Sequence, residues 1–503
     1  MPPAHTTQKP PFATIDVLLQ QRQWRRALSA LDTYLHTPHI SESVVLSIQM
    51  KRIMCLRYLK CHAEAIALCR NLHKQYNNTV HSATICGNMA VLLRDIGAYA
   101  HAARTIIKAI RQNPQDIGAW MNLGVIVKDA GHPAWAQKIH QHATARNQTA
   151  AQINPDILHW NYALSCLTGQ HWHDGWQYYE HGIGLPEGRG TPLVPITHLG
   201  TQNLQSLLQH PSSTPPSFQQ ICILTEQGIG DEIMFAAFIP RFLALCAQKL
   251  PSIPISFVCR ARMLPIYRHS FPNLRLIPRQ DCTAFAAQAP KTCYIPIGSL
   301  PLLTQDFAAI THGHAPYLKI PAHTIDHIRQ KYQHTLGKGA LFGISWFSRT
   351  QHIGKHRDIP LHLWHSCLQR APYRFVSLQY GLNTRTFSTL QALSIPAPYQ
   401  DIHINPLENM FDFAAQTAAM DHIFTIDTST AHLAGALGIP CQVLLPYAPD
   451  WRWSLGRSRW YRSVTLHKKT TPADAPQGWR DILSRLHGLC RPSSEEEIQT
   501  PHA

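Results

Sequence analysis

The residues of this 503-residue chain best arranged for chemistry lie in two short segments, each a strand-like apolar run, a polar turn and a small-residue helix. The first, Ile221 to Pro240, reads ICILTEQGIGDEIMFAAFIP. Ile221 to Leu224 make a buried strand, Gly228 and Gly230 permit a tight turn, and Ile233 to Phe238 resume at helical spacing. Asp231 is thereby set at a helix N-terminus beyond a parallel strand, where a carboxylate is well placed for chemistry. The same position also suits a helix cap. Glu226 and Glu232 flank the turn, either tuning Asp231 or serving the fold.

The second segment, Asp421 to Pro446, reads DHIFTIDTSTAHLAGALGIPCQVLLP. Its strand ends at Asp427. Thr428, Ser429 and Thr430 can cap a helix whose free N–H groups would receive a diphosphate. His432, within the first turns, could donate to phosphate or be a core histidine. Ala431, Ala434, Gly435, Ala436 and Gly438 let the helix pack closely, and Gly438-Ile439-Pro440 ends it. Gln379, after a strand ending at Leu378, is a candidate reader of a nucleoside at the sheet's carboxyl edge. The run Asp450 to Arg462, DWRWSLGRSRWYR, carries three tryptophans, a tyrosine and four arginines. It suits stacking on a base or sugar, and equally a rigid packed loop.

Taken together, these segments resemble the two halves of a GT-B glycosyltransferase. The resemblance is to bacterial proteins that join tetratricopeptide repeats to a domain related to the heptosyltransferase family of lipopolysaccharide synthesis. It extends to Gly343-Ile344-Ser345-Trp346, to Gly354 to Pro360 (GKHRDIP), to Ser377-Leu378-Gln379-Tyr380 and to Leu445 to Trp453 (LPYAPDWRW), in the family's order across residues 219 to 470. It implies that Asp231 is the general base of a metal-independent, inverting displacement. It implies also that Arg357, assisted by Lys355, neutralises the departing diphosphate, and that Asp427, Thr428, Ser429 and His432 hold the donor. An exposed surface cluster is the other reading of Lys355, His356 and Arg357. Asp358 departs from the serine common in the family. No metal or cofactor is implied: the thirteen cysteines show no C-x-x-C and no clustered Cys/His pattern, unlike the cysteine-bound iron of the autotransporter heptosyltransferases.

The elements that must position these residues follow from periodicity. Asn88/Asn122, Gly97/Gly131, Ala102/Ala136 and Ala109/Ala143 recur at 34 residues, the tetratricopeptide period, and Trp120, Leu123 and Gly124 fit its W-x2-L-G start. Val127 stands in place of its tyrosine, and Pro114 closes the preceding copy. Weaker copies align on Ala27, Ala65 and Gly175. The expected fold is an α-solenoid of about five helix pairs over residues 12–184, followed by an α/β GT-B fold of two Rossmann-like lobes. A Pro, Gly, Ser and Thr-rich linker is expected over 185–218, including PSSTPPS. The first lobe, on the acceptor side, takes 219–335, with strands at Ile221 to Leu224, Ile255 to Cys259, Leu274 to Ile277 and Cys293 to Ile297. The second, the donor lobe, takes 336–489, with strands at Leu341 to Ser345, Arg374 to Leu378, Ile423 to Ile426, Gln442 to Leu445 and Val464 to Leu466. Residues 490–503 read as a disordered tail. Trp172, Trp176, Tyr178 and Tyr179 are expected to pack the last repeat on the catalytic half rather than bind sugar.

The net charge of +16 calls for an anionic partner. A nucleotide-sugar donor, an acidic glycan or a charged membrane face each qualifies, and nucleic acid does not, for want of a long basic run or a recognisable module. The start, MPPAHTTQKPPF, lacks a signal peptide's apolar region, and no stretch reaches the roughly 20 apolar residues of a spanning helix. The expectation is a cytoplasmic protein, peripheral at the inner face of the membrane in one variant. Its acceptor would be a glycan or a protein, and the repeats would recruit that acceptor or a protein partner. A protein O-glycosyltransferase, an epimerase or hydrolase, and a non-catalytic repeat scaffold remain as alternatives.

Overall fold

The structure is a computed structural model. It describes residues 12–37, 39–77, 79–209, 216–348, 357–364, 373–380, 391, 397–453, 458–471 and 476–489. Lys355, His356, most of the PSSTPPS run and the tail 490–503 lie outside the described residues. The chain divides into two compact units, the first ending at Asn161 and the second running from Tyr162.

The first unit holds antiparallel helix pairs. Phe12–Gln20 pairs with Trp24–Leu35, Glu42–Tyr58 with His62–Gln75, His81–Asp95 with Tyr99–Gln112, and Ile117–Asp129 with Pro133–Ala150. A left-handed residue makes each turn within a pair: Arg22, Lys60, Gly97 and Gly131. The irregular repeat length seen in sequence is read off these numbers, and only the last two copies use glycine, for which this conformation is free of strain. Small residues at Ala27, Ala65, Ala102 and Ala136 are fully buried where the second helix of each pair meets its neighbours. Gly124 admits the buried His140 ring, whose Nε2 would lie 2.2 Å from an added Cβ.

The second unit contains two wholly parallel sheets. In the first, β1 (Gln220–Leu224), β2 (Ile255–Cys259), β3 (Arg275–Pro278) and β4 (Thr292–Pro296) run in the order β3-β2-β1-β4. In the second, β5 (Leu341–Ser345), β6 (Arg374–Ser377), β7 (His422–Ile426), β8 (Cys441–Leu445) and β9 (Val464–Lys468) run in the order β6-β5-β7-β8-β9. All nine strands fall within a residue or two of their expected positions. Near-continuous apolar runs such as Ile221-Cys222-Ile223-Leu224 are what a parallel sheet covered on both faces requires. Each sheet has a switch point where the chain reverses its order of addition: beside β1, between β2 and β4, and beside β5, between β6 and β7. Ligands of open parallel sheets bind at the carboxyl ends of strands beside such points.

Two boundaries need correction. Residues 185–209, expected as linker, are folded into the second unit. Val194 joins the core of the first sheet with Cys222 and Leu224, Leu199 bridges to Tyr294 at the sheet edge, and Thr201–Gln209 is a helix that buries Leu204 and Leu208. Isolated apolar residues among prolines and glycines carry no periodicity, so the segment reads as linker in sequence. The solenoid boundary also moves, from 184 to 161. Trp176 and Tyr179 belong to an aromatic cluster of the second unit, edge-on to Phe235 and Trp451, with Trp460 edge-on to Trp176. They pack, as expected, and do not face solvent: Trp176 is 1% exposed and Tyr179 0%.

Gly124→Ala should therefore destabilise the repeats by about 1–3 kcal/mol, because the added methyl would overlap the fully buried His140 ring. Hydrogen exchange across Ile117–Asp129 and Pro133–Ala150 measures this; wild-type protection there would show that the contact is not tight.

Candidate functional site

The turn after β1 and the turn after β7 come together. An added Cβ on Gly230 would stand 3.0 Å from His432 Cδ2 and 3.7 Å from Ser429 Cα, so the starts of helices Ile229–Ala236 and Ser429–Leu437 are in contact. Both helix N-termini, with the unpaired N–H groups every helix start carries, therefore open onto one place. Gly228, Gly230, Asp231, Arg357, Asp427, Thr428, Ser429 and His432, spread over more than two hundred residues, assemble around it.

Asp231 is the third residue of its helix. Its Oδ2 accepts from the Gly228 N–H at 2.9 Å, the one half of a capping box that a glycine N-cap, lacking a side chain, can make, so the capping role left open by the sequence is present in part. Its Oδ1 accepts from Arg452 Nε at 2.7 Å and pairs with Nη2 at 2.6 Å. The same guanidinium donates from Nη1 to Asp450 Oδ1 at 2.7 Å and from Nη2 to Gln227 Oε1 at 3.2 Å, and it lies 4.5 Å from the Trp451 ring centroid. Burial opposes its charge, but the two aspartates outweigh burial and hold the guanidinium's pKa above its ordinary value. Arg452 was not singled out by the sequence. Its signal is the DWRW run, but nothing in the chain's order reveals a partner 221 residues away.

Gln227 is the second residue that sequence reasoning missed. It is a non-glycine residue at φ 52°, a left-handed conformation that costs energy and persists only where surroundings enforce it. Arg260 Nη2 takes its carbonyl at 2.5 Å, Tyr179 Oη and Arg452 hold its side chain, and the turn is fixed from three directions. Glu226 and Glu232 turn out to serve that scaffold. Glu226 is gripped by the fully buried guanidinium of Arg189 and by the Gly298 N–H at 2.9 Å. Arg189 also binds Glu180 and Ser299. Glu232 pairs with Arg260 and accepts from Thr225. Neither glutamate is left without a cation, which accords with a structural rather than a catalytic use.

On the second lobe, Arg357 donates from Nη1 to the Asp427 carbonyl at 2.6 Å, while its Nε stands 3.3 Å from Asp427 Oδ1. That second approach misses hydrogen-bond geometry, and among the described residues neither the Nε nor the Oδ1 finds another hydrogen-bond partner. Asp427 is almost fully buried. Burial pushes its pKa up to about 7, against the lowering pull of Arg357 and with a further push from Asp450. His432 is buried, bonded from Nδ1 to Tyr461 Oη at 2.8 Å, and 4.7 Å from the Trp453 ring. Burial drops its pKa to about 4, so it is neutral at physiological pH; the charges of Asp231, Arg452, Asp450 and Arg357 all reach it. Thr428 is the helix N-cap in extended conformation, and its hydroxyl is 3.4 Å from that of Thr425.

Gln379 sits at the expected sheet edge but is largely occupied. Its Oε1 accepts from the Trp346 and Phe347 N–H groups, both at 3.0 Å, and from Ser345 Oγ at 3.2 Å; its Nε2 donates to the Tyr380 carbonyl at 3.3 Å. It staples the end of β6 to the end of β5. The Arg357 turn is tied to the same edge, through Ser348 N–H to Asp358 Oδ1 at 2.8 Å and Ile359 N–H to the Trp346 carbonyl at 2.8 Å. Asp358 thus anchors this turn. Of the DWRW run, Trp451, Trp453, Trp460 and Tyr461 are all at most 4% exposed, so its aromatic residues pack rather than offer a stacking surface. A cavity of about 680 Å³ at the amino ends of β1 and β4, lined in part by Leu193, His198, Lys291 and Tyr294, contains none of the residues named for chemistry.

No family model matches this chain. It is similar to Protein FlbA of Caulobacter vibrioides, at 24% identity over 424 residues, 75% of this chain and 68% of that protein. Among solved structures it is similar to a glycosyl transferase family 9 protein from Veillonella parvula, with a TM-score of 0.39, 11% identity, and 54% of this chain against 92% of that one. It is also similar to the ADP-heptose lipopolysaccharide heptosyltransferase II of E. coli, with a TM-score of 0.37, 12% identity, and 54% of this chain against 99% of that one. Solved tetratricopeptide-repeat proteins are similar over 33–34% of the chain at TM-scores of 0.24–0.28.

Proposed function

We propose that this chain is a glycosyltransferase of GT-B, heptosyltransferase-like type, transferring a sugar from a nucleotide-diphosphate donor to a glycan or protein acceptor. The single observation that carries this reading is the contact of two helix N-termini at parallel-sheet switch points, one bearing Asp231 and the other Thr428, Ser429 and His432. The diphosphate takes the N–H groups of Ser429 and Thr430 and the cation of Arg357, with Lys355 as a second cation. Asp231 takes the proton of the acceptor hydroxyl as that oxygen bonds to the anomeric carbon. The bond from that carbon to the diphosphate oxygen breaks with its electron pair, and the leaving nucleoside diphosphate carries the charge onto the arginines and the helix dipole. Attack opposite the leaving group inverts the anomeric centre. On this reading the diphosphate is neutralised by cationic side chains and not by a metal ion.

The repeat unit, on this reading, recruits the acceptor or a protein partner, as extended helical repeats commonly do. A cytoplasmic location, with or without contact at the inner membrane face, suits a nucleotide-sugar substrate. No helix among the described residues is long and apolar enough to cross a membrane.

The test is incubation of the purified protein with ADP-, GDP- and UDP-linked sugars and CMP-linked sugar, with and without acceptor extract, reading nucleotide release and glycosylated product by mass spectrometry. A product dependent on one nucleotide sugar is expected, and Asp231→Asn should lower its rate by about 10²–10⁴. Near-wild-type turnover in that variant would remove Asp231 from the chemistry.

Arg357→Ala should weaken donor binding by about tenfold or more while leaving the fold intact, the usual size of a lost charge-assisted bond. Unchanged affinity in calorimetry would return Arg357 to a surface or structural role.

The raised pKa of Asp427 sets a pH dependence. A bound diphosphate beside Asp427 favours its protonated form, so affinity for a nucleotide sugar, whose diphosphate does not titrate between pH 6 and 8, should fall as pH rises through about 7, by at most about tenfold per pH unit. Asp427→Asn should flatten that profile. An equal slope in wild type and variant would place the titrating group elsewhere.

A further inference from the structure

Both oxygens of Asp231 are occupied in the ligand-free site, which poses a problem for its use as a base. Oδ1 already holds the Arg452 guanidinium and Oδ2 the Gly228 N–H, so an acceptor hydroxyl finds neither oxygen open. Asp450 and Gln227 hold the same guanidinium, so Arg452 is shared by two carboxylates and an amide. It comes from the loop after β8 in the second lobe, and it is joined to Asp231 in the first. The contact of Gly230 with Ser429 places this pair beside the helix start proposed to receive the diphosphate.

We infer that Arg452 exchanges partners when donor binds: it leaves Asp231 for the diphosphate, and that departure frees Asp231 to accept the acceptor proton. The inference deepens the glycosyltransferase reading and rests on it. A diphosphate carries more charge than one carboxylate and offers oxygens in the fork geometry a guanidinium prefers. Gln227, pinned at its backbone by Arg260, and the Trp451 face keep the guanidinium on a short path between the two partners. Withdrawing the guanidinium opens Oδ1 of Asp231 to a hydrogen bond from the acceptor hydroxyl, the contact that proton transfer needs. Without donor that oxygen stays occupied, so the site does not bind an acceptor hydroxyl productively ahead of donor. Binding is therefore ordered, donor first. Arg452 has two roles: it binds the diphosphate directly, and it controls Asp231 by leaving it.

The experiment is calorimetric titration of the full chain with the nucleoside diphosphate and the nucleoside monophosphate of the preferred base, in wild type, Asp231→Asn, Arg452→Ala, Arg452→Lys and the Asp231→Asn/Arg452→Ala double variant. Asp231→Asn removes the competitor for Arg452, so it should tighten nucleoside diphosphate binding by roughly tenfold. Arg452→Ala should weaken the diphosphate by a similar factor and the monophosphate less, and Arg452→Lys should restore part of the loss. In the double variant the gain from Asp231→Asn should vanish, because no arginine remains to be released. A merely structural Arg452 predicts the opposite sign for Asp231→Asn, since breaking its ion pair would loosen the site. If wild type binds nucleotides but Asp231→Asn fails to tighten them, the exchange is refuted and the glycosyltransferase reading stands. If wild type binds none of the nucleotides, both fall.

Discussion

One guanidinium, that of Arg452, connects the main parts of the α/β unit. It lies between Asp231 from the first lobe and Asp450 from the second, with Gln227 as a third partner and Trp451 beneath it. Such an ion pair is costly to bury unless its remaining donors are satisfied, and three acceptors meet that condition here. Gly230 favours that approach, since it carries no side chain where the His432 ring and Ser429 arrive. The aromatic cluster of Trp176, Tyr179, Phe235, Trp451 and Trp460 then excludes water from one side of the pair, which strengthens the electrostatics at the site.

A second layer of arginines explains why the turn after β1 keeps its strained shape. Arg189 and Arg260 each neutralise one glutamate of the segment, and Arg260, Tyr179 and Arg452 hold Gln227 in a left-handed conformation. Strain of this kind is stabilised elsewhere in the fold and preorganises whatever the turn presents. In this case it presents Gly228, whose N–H is held by the Asp231 carboxylate, and Asp231 itself. That carboxylate, the base of the proposed reaction, is thus positioned by residues drawn from the 180–189 segment, from the end of β2 and from the loop after β8.

Much of this organisation is legible in the sequence, because it is encoded locally. Short apolar-rich runs bounded by turn residues mark the strands, most plainly Ile221 to Leu224, and a polar cap before a small-residue helix marks the Thr428 to His432 turn. Gly97 and Gly131 mark two repeat turns, whereas Arg22 and Lys60 take the same conformation without any such signature. What is not legible is long-range: the Arg452 to Asp231 pair, the Arg189 grip on Glu226, and the folding of residues 185–209 on the first sheet. Each depends on residues brought together only by sheet topology. Gln379 shows the converse limit, since its position at the sheet edge was legible but its use as a staple between β5 and β6 was not.

The most direct test of the account is a crystal structure of the protein with the nucleoside diphosphate that stabilises it most. The account predicts the diphosphate on the N–H groups of Ser429 and Thr430, in contact with Arg357 and Arg452, with the Arg452 to Asp231 pair broken. A diphosphate bound elsewhere, or bound there with that pair intact, would contradict it.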